Sequence, residues 1–267
     1  MNRDAALIEF DHVSMHFGAQ TVLADLSLAV RRGETKVLLG EAGSGKSVAL
    51  KLAIGLLRPD SGKIIVLGEN VSALEEQALF TLRRKIGMVF QESALFDSLT
   101  VRQNVAYRLE EEHQLDEEHI EARVRECLAA VELEAAIDKM PSELSGGMQR
   151  RVAIARALAT EPEIMLYDSP TAGLDPITAT NIMEQIIKLR DVNNVTALMV
   201  THRLQDGFLL ATHAWDAAGN QLKPAPKAGD QRTSFMVLHN QRTVFDGSGA
   251  ELRSSQDRYL RNFLQTN

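Results

Sequence analysis

The sequence predicts an α/β fold with a largely parallel sheet. Three observations carry the prediction. An apolar run, Lys36 to Leu39, enters a glycine-rich turn and leaves as a helical pattern at Val48 to Leu52. A second short apolar run, Ile164 to Tyr167, closes on Asp168, as a buried strand does when its last side chain emerges at a functional edge. Thr180 to Arg190 then repeats at helical spacing and returns the chain to a third apolar run, Thr196 to Val200. Strand, helix and strand in this order build parallel sheets.

In chain order, Leu7 to Phe17 and Thr21 to Val30 roughly alternate apolar and polar residues around Gly18-Ala19-Gln20, which predicts an antiparallel hairpin. Val37 to Leu39 is the strand before the glycine turn. The helix after the turn carries Leu50, Ala53, Ile54 and Leu57 on one face and is expected to run until Arg58-Pro59-Asp60-Ser61-Gly62 stops it. Ile64 to Leu67 resumes a strand, residues 75 to 85 are charged and amphipathic, and Ile86 to Gln91 reads as an apolar strand ending on a glutamine. From Val101 to Leu133 long charged helices replace strands, so this stretch is an inserted helical lobe, with the acidic run Glu110 to Glu121 as a solvated face. Arg150 to Leu158 is a further helix with Ser145 placed as its N-cap. Beyond His202, residues 216 to 232 are polar and rich in Gly and Pro, a surface loop or hairpin. Phe235 to Leu238 and Thr243 to Phe245 read as a terminal hairpin, and Tyr259 to Leu264 as a closing helix.

Composition narrows the function classes. With 267 residues the chain holds one sizeable core, or one core with an inserted lobe. No apolar run approaches the ~20 residues that span a bilayer, and MNRDAALIEF lacks the apolar core of a secretion signal. A net charge of −7 without a basic tract argues against a nucleic-acid surface. The single cysteine, Cys127, falls on a predicted helix as a buried small hydrophobe, which fits a reducing, cytoplasmic compartment. The remaining histidines show no metal-ligand spacing, so no structural zinc is expected.

The glycine turn carries the chemistry. Residues 40 to 47 read GEAGSGKS, a phosphate-cradling P-loop: Gly40, Gly43 and Gly45 let backbone N–H groups of the Glu41, Ala42, Ser44 and Val48 neighbourhood converge on phosphate oxygens. Lys46 supplies a point charge, and the Ser47 hydroxyl suits Mg²⁺, with Asp168 as the carboxylate that holds the metal's water shell. A turn that merely joins strand to helix leaves the Lys and Ser unexplained.

P-loop and Asp168 alone do not choose a nucleotide machine. LSGGMQR at 144 to 150 resembles the signature motif of ABC ATPases, and the surrounding order is theirs as well. Phe17 is similar to the aromatic that stacks on adenine, Gln91 to the Q-loop glutamine, Ala172-Gly173-Leu174-Asp175 to the D-loop, and His202 to the switch histidine. The resemblance covers about residues 7 to 210. It implies a P-loop NTPase with a RecA-like, largely parallel sheet, an antiparallel β subdomain and an inserted helical subdomain. The core and β subdomain would take 7–91 and 160–215, the helical subdomain 92–159, the polar insertion 216–232, and the C-terminal hairpin and helix 233–267. It also implies ATP and Mg²⁺ as ligands, with Gln91 joining Ser47 and Asp168 at the metal. Two copies would meet head to tail, each ATP lying between one P-loop and the other chain's Ser145, Gly146, Gly147 and Gln149, with Asp175 nearby. Ser145 to Gly147 open a helix, which is itself an anion site.

The segment GMVFQESALFDSLTVRQNVAY (87 to 107) looks like that of ATPases paired with Mce-type lipid importers and exporters, the maintenance-of-lipid-asymmetry type. In such systems this region receives a helix of the membrane permease, although Leu95, Phe96 and Leu99 also read as plain core residues. The resemblance then implies an ATPase subunit on the cytoplasmic face of the inner membrane, with a permease and an Mce-domain protein as partners. One residue departs from the pattern: where these ATPases carry a glutamate after the strand-end aspartate, this chain has Ser169. A hydroxyl is neither charged nor basic at neutral pH, so slow hydrolysis is expected, left to Ser169, Gln91 and His202. An ATP-gated regulatory subunit without turnover, and a soluble ABC ATPase unconnected to transport, remain the alternatives.

Overall fold

The computed structural model describes residues 6–113, 115–225 and 232–266. Alternating buried and exposed side chains make β1 (Ala6–Phe17) and β2 (Gln20–Arg31), which pair antiparallel. β3 (Thr35–Gly40) is buried at every position and leads through the P-loop into α1 (Lys46–Ala53). β4 (Ser61–Val66) lies antiparallel against β1, and β5 (Glu69–Asn70) completes a four-stranded sheet in the order β2-β1-β4-β5. α2 (Glu76–Arg83) leads to β6 (Ile86–Val89).

The helical lobe follows as α3 (Val101–Glu112), α4 (Glu117–Ala130) and α5 (Gly146–Leu158). Thr100 and Gln103 cap α3 reciprocally, and Asp116 caps α4 through His119 N. The acidic run from Glu110 is largely solvent-exposed, apart from residue 114, which lies outside the described residues. β7 (Ile164–Asp168), α6 (Pro176–Asn193), β8 (Thr196–Thr201) and α7 (Leu204–Thr212) return to the core. β9 (His213–Asp216), β10 (Gln221–Pro224), β11 (Thr233–His239), β12 (Arg242–Ser248), α8 (Gly249–Ser254) and α9 (Arg258–Thr266) complete the chain.

The central sheet has six strands in the order β12-β11-β3-β8-β7-β6, parallel from β11 to β6, with β12 antiparallel at one edge. Side chains on β3 alternate between two cores. Val37 and Leu39 pack with Met165, Tyr167 and Met199 toward the helical lobe, whereas Leu38 packs with Leu166 and Val200 toward α1 and the antiparallel sheet. A sheet covered on both faces has apolar residues at successive positions, which is why its strands read as continuous apolar runs.

Two details differ from the sequence reading. α1 ends at Ala53, short of Arg58, because Gly55 turns the chain with φ 66°. β6 ends at Val89, and Gln91 sits in the turn beyond it, not on the strand. Gln221–Pro224, within the polar stretch 216–232, pairs with His213–Asp216 as a short hairpin; residues 226–231 lie outside the described residues, as do residues 1–5. No helix among the described residues is long and apolar enough to cross a membrane.

Candidate functional site

Parallel strands put their carboxyl ends on one edge, and the register fixes which residues emerge there together. Leu39 pairs with Thr201, Asp168 with Val200, and Tyr167 with Val89. The P-loop, His202, Ser169 and Gln91 therefore all leave the same edge of the sheet.

The P-loop is shaped by two close approaches. A Cβ at Gly40 would lie 2.6 Å from Leu238 O and 2.7 Å from Ser44 Oγ. One at Gly45, where φ is 93°, would lie 2.5 Å from Val22 O and 2.6 Å from Leu23 Cδ2. β2 thus backs the loop directly, and the exposed ring of Phe17 lies at the end of the same hairpin, paired with Gln20. No side chain caps the N-terminus of α1, which leaves its first N–H groups for an anion.

Lys46 is buried, and its Nζ donates to Gly40 O (2.8 Å), Glu41 O (2.7 Å) and Ser44 Oγ (3.3 Å). Burial lowers its pKa, while the carboxylates of Asp168 and Glu41 pull it back up. The Ser47 hydroxyl donates to Asp168 Oδ1 (2.9 Å). One hydroxyl and one carboxylate side by side form a hard-oxygen pair that suits Mg²⁺, which takes few protein ligands and completes its shell with phosphate oxygens and water.

Ser169 is buried with φ 47°, its N–H donating to Val200 O (2.8 Å) and its Oγ to Asp168 Oδ1 (3.4 Å). Its hydroxyl is turned toward the neighbouring aspartate. His202 is exposed one residue past β8.

Ser145, Gly146 and Gly147 form a second cluster. Ser145 Oγ accepts from Met148 N (3.3 Å), and Ser145 and Gly146 are exposed. Gly147 is buried against Thr178, and a Cβ on Gly146 would lie 3.7 Å from Leu174 Cδ2, so the signature helix rests on the D-loop. Asp175 caps α6, accepting from Ile177 N (3.1 Å) and Thr178 N (3.0 Å), and the Thr178 hydroxyl together with these backbone groups holds its carboxyl below the usual range. Gln149 donates its amide to Pro141 O (2.9 Å).

Several residues at this edge escaped the sequence reading. Arg150 is buried and donates to Phe90 O (2.6 Å), joining α5 to the backbone just before Gln91. Arg156 donates to Ser93 O (2.9 Å) and Ala94 O (2.8 Å) and lies over the Phe96 ring. Tyr259 stacks on His239 with centroids 3.7 Å apart, and its hydroxyl donates to Glu41 Oε1 (3.4 Å). Asp206 is buried between the loop after β7 and the end of β8. The paired arginines at 150 and 151 and the acidic residue in the first turn of α7 were the available signals, but burial decides their roles.

A groove of about 580 Å³ opens on the other side of this segment, lined by Phe80, Met88, Phe90, Phe96, Tyr107 and Arg156 among others. Phe96 and Tyr107 meet with ring centroids 4.5 Å apart.

Comparison with known proteins identifies the family. The sequence profile described as ABC transporter matches residues 23–172. The intermembrane phospholipid transport system ATP-binding protein MlaF of Escherichia coli K12 is 36% identical over 97% of this chain and 89% of its own. The chloroplastic protein TRIGALACTOSYLDIACYLGLYCEROL 3 of Arabidopsis thaliana is 36% identical over 98% of this chain and 74% of its own. Among solved structures, the ATP-binding cassette MJ0796, captured as a dimer after hydrolysis with ADP and phosphate, superposes with a TM-score of 0.75 at 29% identity, covering 90% of this chain and 98% of that one. The chain belongs to the ABC transporter family, as one of its ATP-binding, ATP-hydrolysing cassettes that work with Mg²⁺.

Proposed function

We propose that the chain is the ATPase subunit that drives a membrane permease moving lipid or another hydrophobic substrate across a bacterial envelope. The observation that carries this reading is the division of the nucleotide site. Lys46, Ser47 and Asp168 form one cluster, whereas Ser145 and Gly146 are exposed in another, where Gly146 lies against Leu174 and the buried Gly147 against Thr178. Two copies placed head to tail bring the clusters together, so ATP binding closes the dimer and hydrolysis reopens it. Within each site Phe17 stacks on the base, P-loop residues 40–48 hold the phosphates, and Gln91 and His202 orient the attacking water and the γ-phosphate. Ser47, Asp168 and Gln91 would hold Mg²⁺, whose charge would offset the negative charge that develops on the phosphates.

The groove at Phe80, Phe96 and Tyr107 is the docking surface for a permease helix, and the subunit sits peripherally on the cytoplasmic side of the inner membrane. The relatives named for phospholipid transport support the lipid class, with an Mce-domain protein as a further partner. Ser169 in place of a carboxylate supports slow or partner-dependent turnover, and it also favours a second reading in which hydrolysis is nearly lost and ATP acts as a gate.

Affinity purification of the tagged chain from its own membranes tests the proposal. It predicts retention of an integral membrane protein that Phe96→Asp releases. Recovery without any membrane protein contradicts it. ATP-dependent dimerisation without phosphate release in the assembled complex selects the gating reading.

A further inference from the structure

Two carboxylates are buried among the described residues, Asp168 and Asp206. The second has no place in the phosphate or metal clusters. It lies in the first turn of α7, and one oxygen, Oδ2, accepts from both Thr171 Oγ1 (2.5 Å) and Thr201 Oγ1 (3.2 Å). Its Oδ1 lies 3.6 Å from Arg203 Nε, and Thr201 Oγ1 in turn accepts from Arg203 N (3.0 Å). Both threonines are fully buried.

Their positions give the contact its meaning. Thr171 follows Ser169 by two residues, on the loop beyond β7, and Thr201 immediately precedes His202 at the end of β8. The backbone bond from Ser169 N to Val200 O ties the same two segments at 2.8 Å. A single carboxylate oxygen therefore fixes the loop that bears Ser169 against the strand end that bears His202.

Burying a carboxylate is costly, and an apolar residue of similar volume would hold α7 to the core without that cost. Burial raises the Asp206 pKa, opposed by the hydrogen bonds and by Arg203. One oxygen with two lone pairs meets the need of two hydroxyl donors arriving from the loop after β7 and from the end of β8. In hydrolysis, water adds to the γ-phosphorus, the bond to the bridging oxygen breaks, ADP leaves, and the water's proton passes to the released phosphate. With Ser169 unable to take that proton, the rate depends on orientation, and a displacement of about 1 Å in an orienting group costs on the order of 100-fold.

We infer that Asp206 is a positioning residue for ATP hydrolysis, holding His202 and the Ser169 loop in mutual register through Thr201 and Thr171. The inference rests on the reading of His202 as the γ-phosphate contact.

Single-turnover hydrolysis and fluorescent ATP binding on the full-length chain test it, with Asp206→Ala, Asp206→Asn, Thr171→Val and His202→Ala compared. Asp206→Ala is expected to slow hydrolysis on the order of tenfold or more with ATP affinity within about twofold of the parent, because the contact acts on orientation alone. Asp206→Asn keeps an oxygen acceptor for both hydroxyls and is expected to restore most of the rate. Combining Asp206→Ala with His202→Ala is expected to add little to His202→Ala alone. If Asp206→Ala does not fold, Thr171→Val carries the same expectation at conserved shape. Parental rates in both Asp206→Ala and Thr171→Val overturn the inference, as does equal impairment of Asp206→Asn and Asp206→Ala. Full additivity with His202→Ala overturns it too. A parental rate in His202→Ala alone instead overturns the γ-phosphate reading, so the two failures are told apart.

Discussion

The Ser47 hydroxyl donates to Asp168 Oδ1 at 2.9 Å, joining the first turn of α1 to the end of β7 across 121 residues of sequence. In the proposed function this pair holds the metal of a metal-bound nucleotide. Replacing the carboxylate separates binding from turnover. Asp168→Asn is expected to keep the fold and to bind ATP with an affinity that no longer responds to Mg²⁺, while hydrolysis falls about 100-fold or more. Calorimetric titration with and without Mg²⁺, alongside phosphate release, reads both effects; unchanged turnover would contradict the assignment.

Ser169→Glu supplies the carboxylate that the resemblance to ABC ATPases implies after the strand-end aspartate. A general base contributes about 10²–10⁴-fold, so steady-state phosphate release in the assembled complex is expected to rise by at least an order of magnitude. An equal or lower rate rules out attenuation by Ser169.

Asn104 is fully buried and pins the segment that carries Phe96. Its Oδ1 accepts from Phe96 N (2.8 Å), and its Nδ2 donates to Phe96 O (3.1 Å), Leu99 O (3.0 Å) and Thr100 O (3.1 Å). Asn104→Leu strands those backbone groups and is expected to cost about 2–3 kcal/mol, visible as a lower urea midpoint. A midpoint equal to the parent's would show that the loop holds its shape without the amide.

Cys127 is buried on α4, and burial pushes its pKa up to about 11. The thiolate is the reactive form, so iodoacetamide at neutral pH is expected to label the unfolded chain and spare the folded one. The sign for stability follows. Between the ordinary thiol pKa and about 11 the unfolded chain loses this proton and the folded chain keeps it, so Cys127 makes stability fall as pH rises through that window. Rapid labelling of the native protein would contradict the burial.

The sheet and the P-loop were legible because their signals are local. Lys36 to Ser47 carries its strand, its turn and its chemistry in one stretch, and Asp168 ends an apolar run. What escaped depends on contacts between distant segments. Arg150 reads as an ordinary helix cation until its bond to Phe90 O is seen, and Asp206 as a surface acid until Thr171 and Thr201 converge on it. Gln91 was placed on its strand because the apolar run leads straight to it, whereas pairing with β7 stops at Val89.

In the proposed dimer each ATP is enclosed by the P-loop of one copy and the signature helix of another. Mixing two defective chains tests it most directly. Lys46→Ala removes the phosphate-binding charge, Ser145→Arg blocks the signature surface, and neither alone should form an ATP-stabilised dimer. In a mixed dimer the P-loop of the Ser145→Arg chain faces the intact signature of the Lys46→Ala chain. Light scattering with radiolabelled ATP is then predicted to show a dimer retaining one nucleotide per two chains. No dimer on mixing, or a full ATP-bound dimer from Ser145→Arg alone, would contradict the shared site.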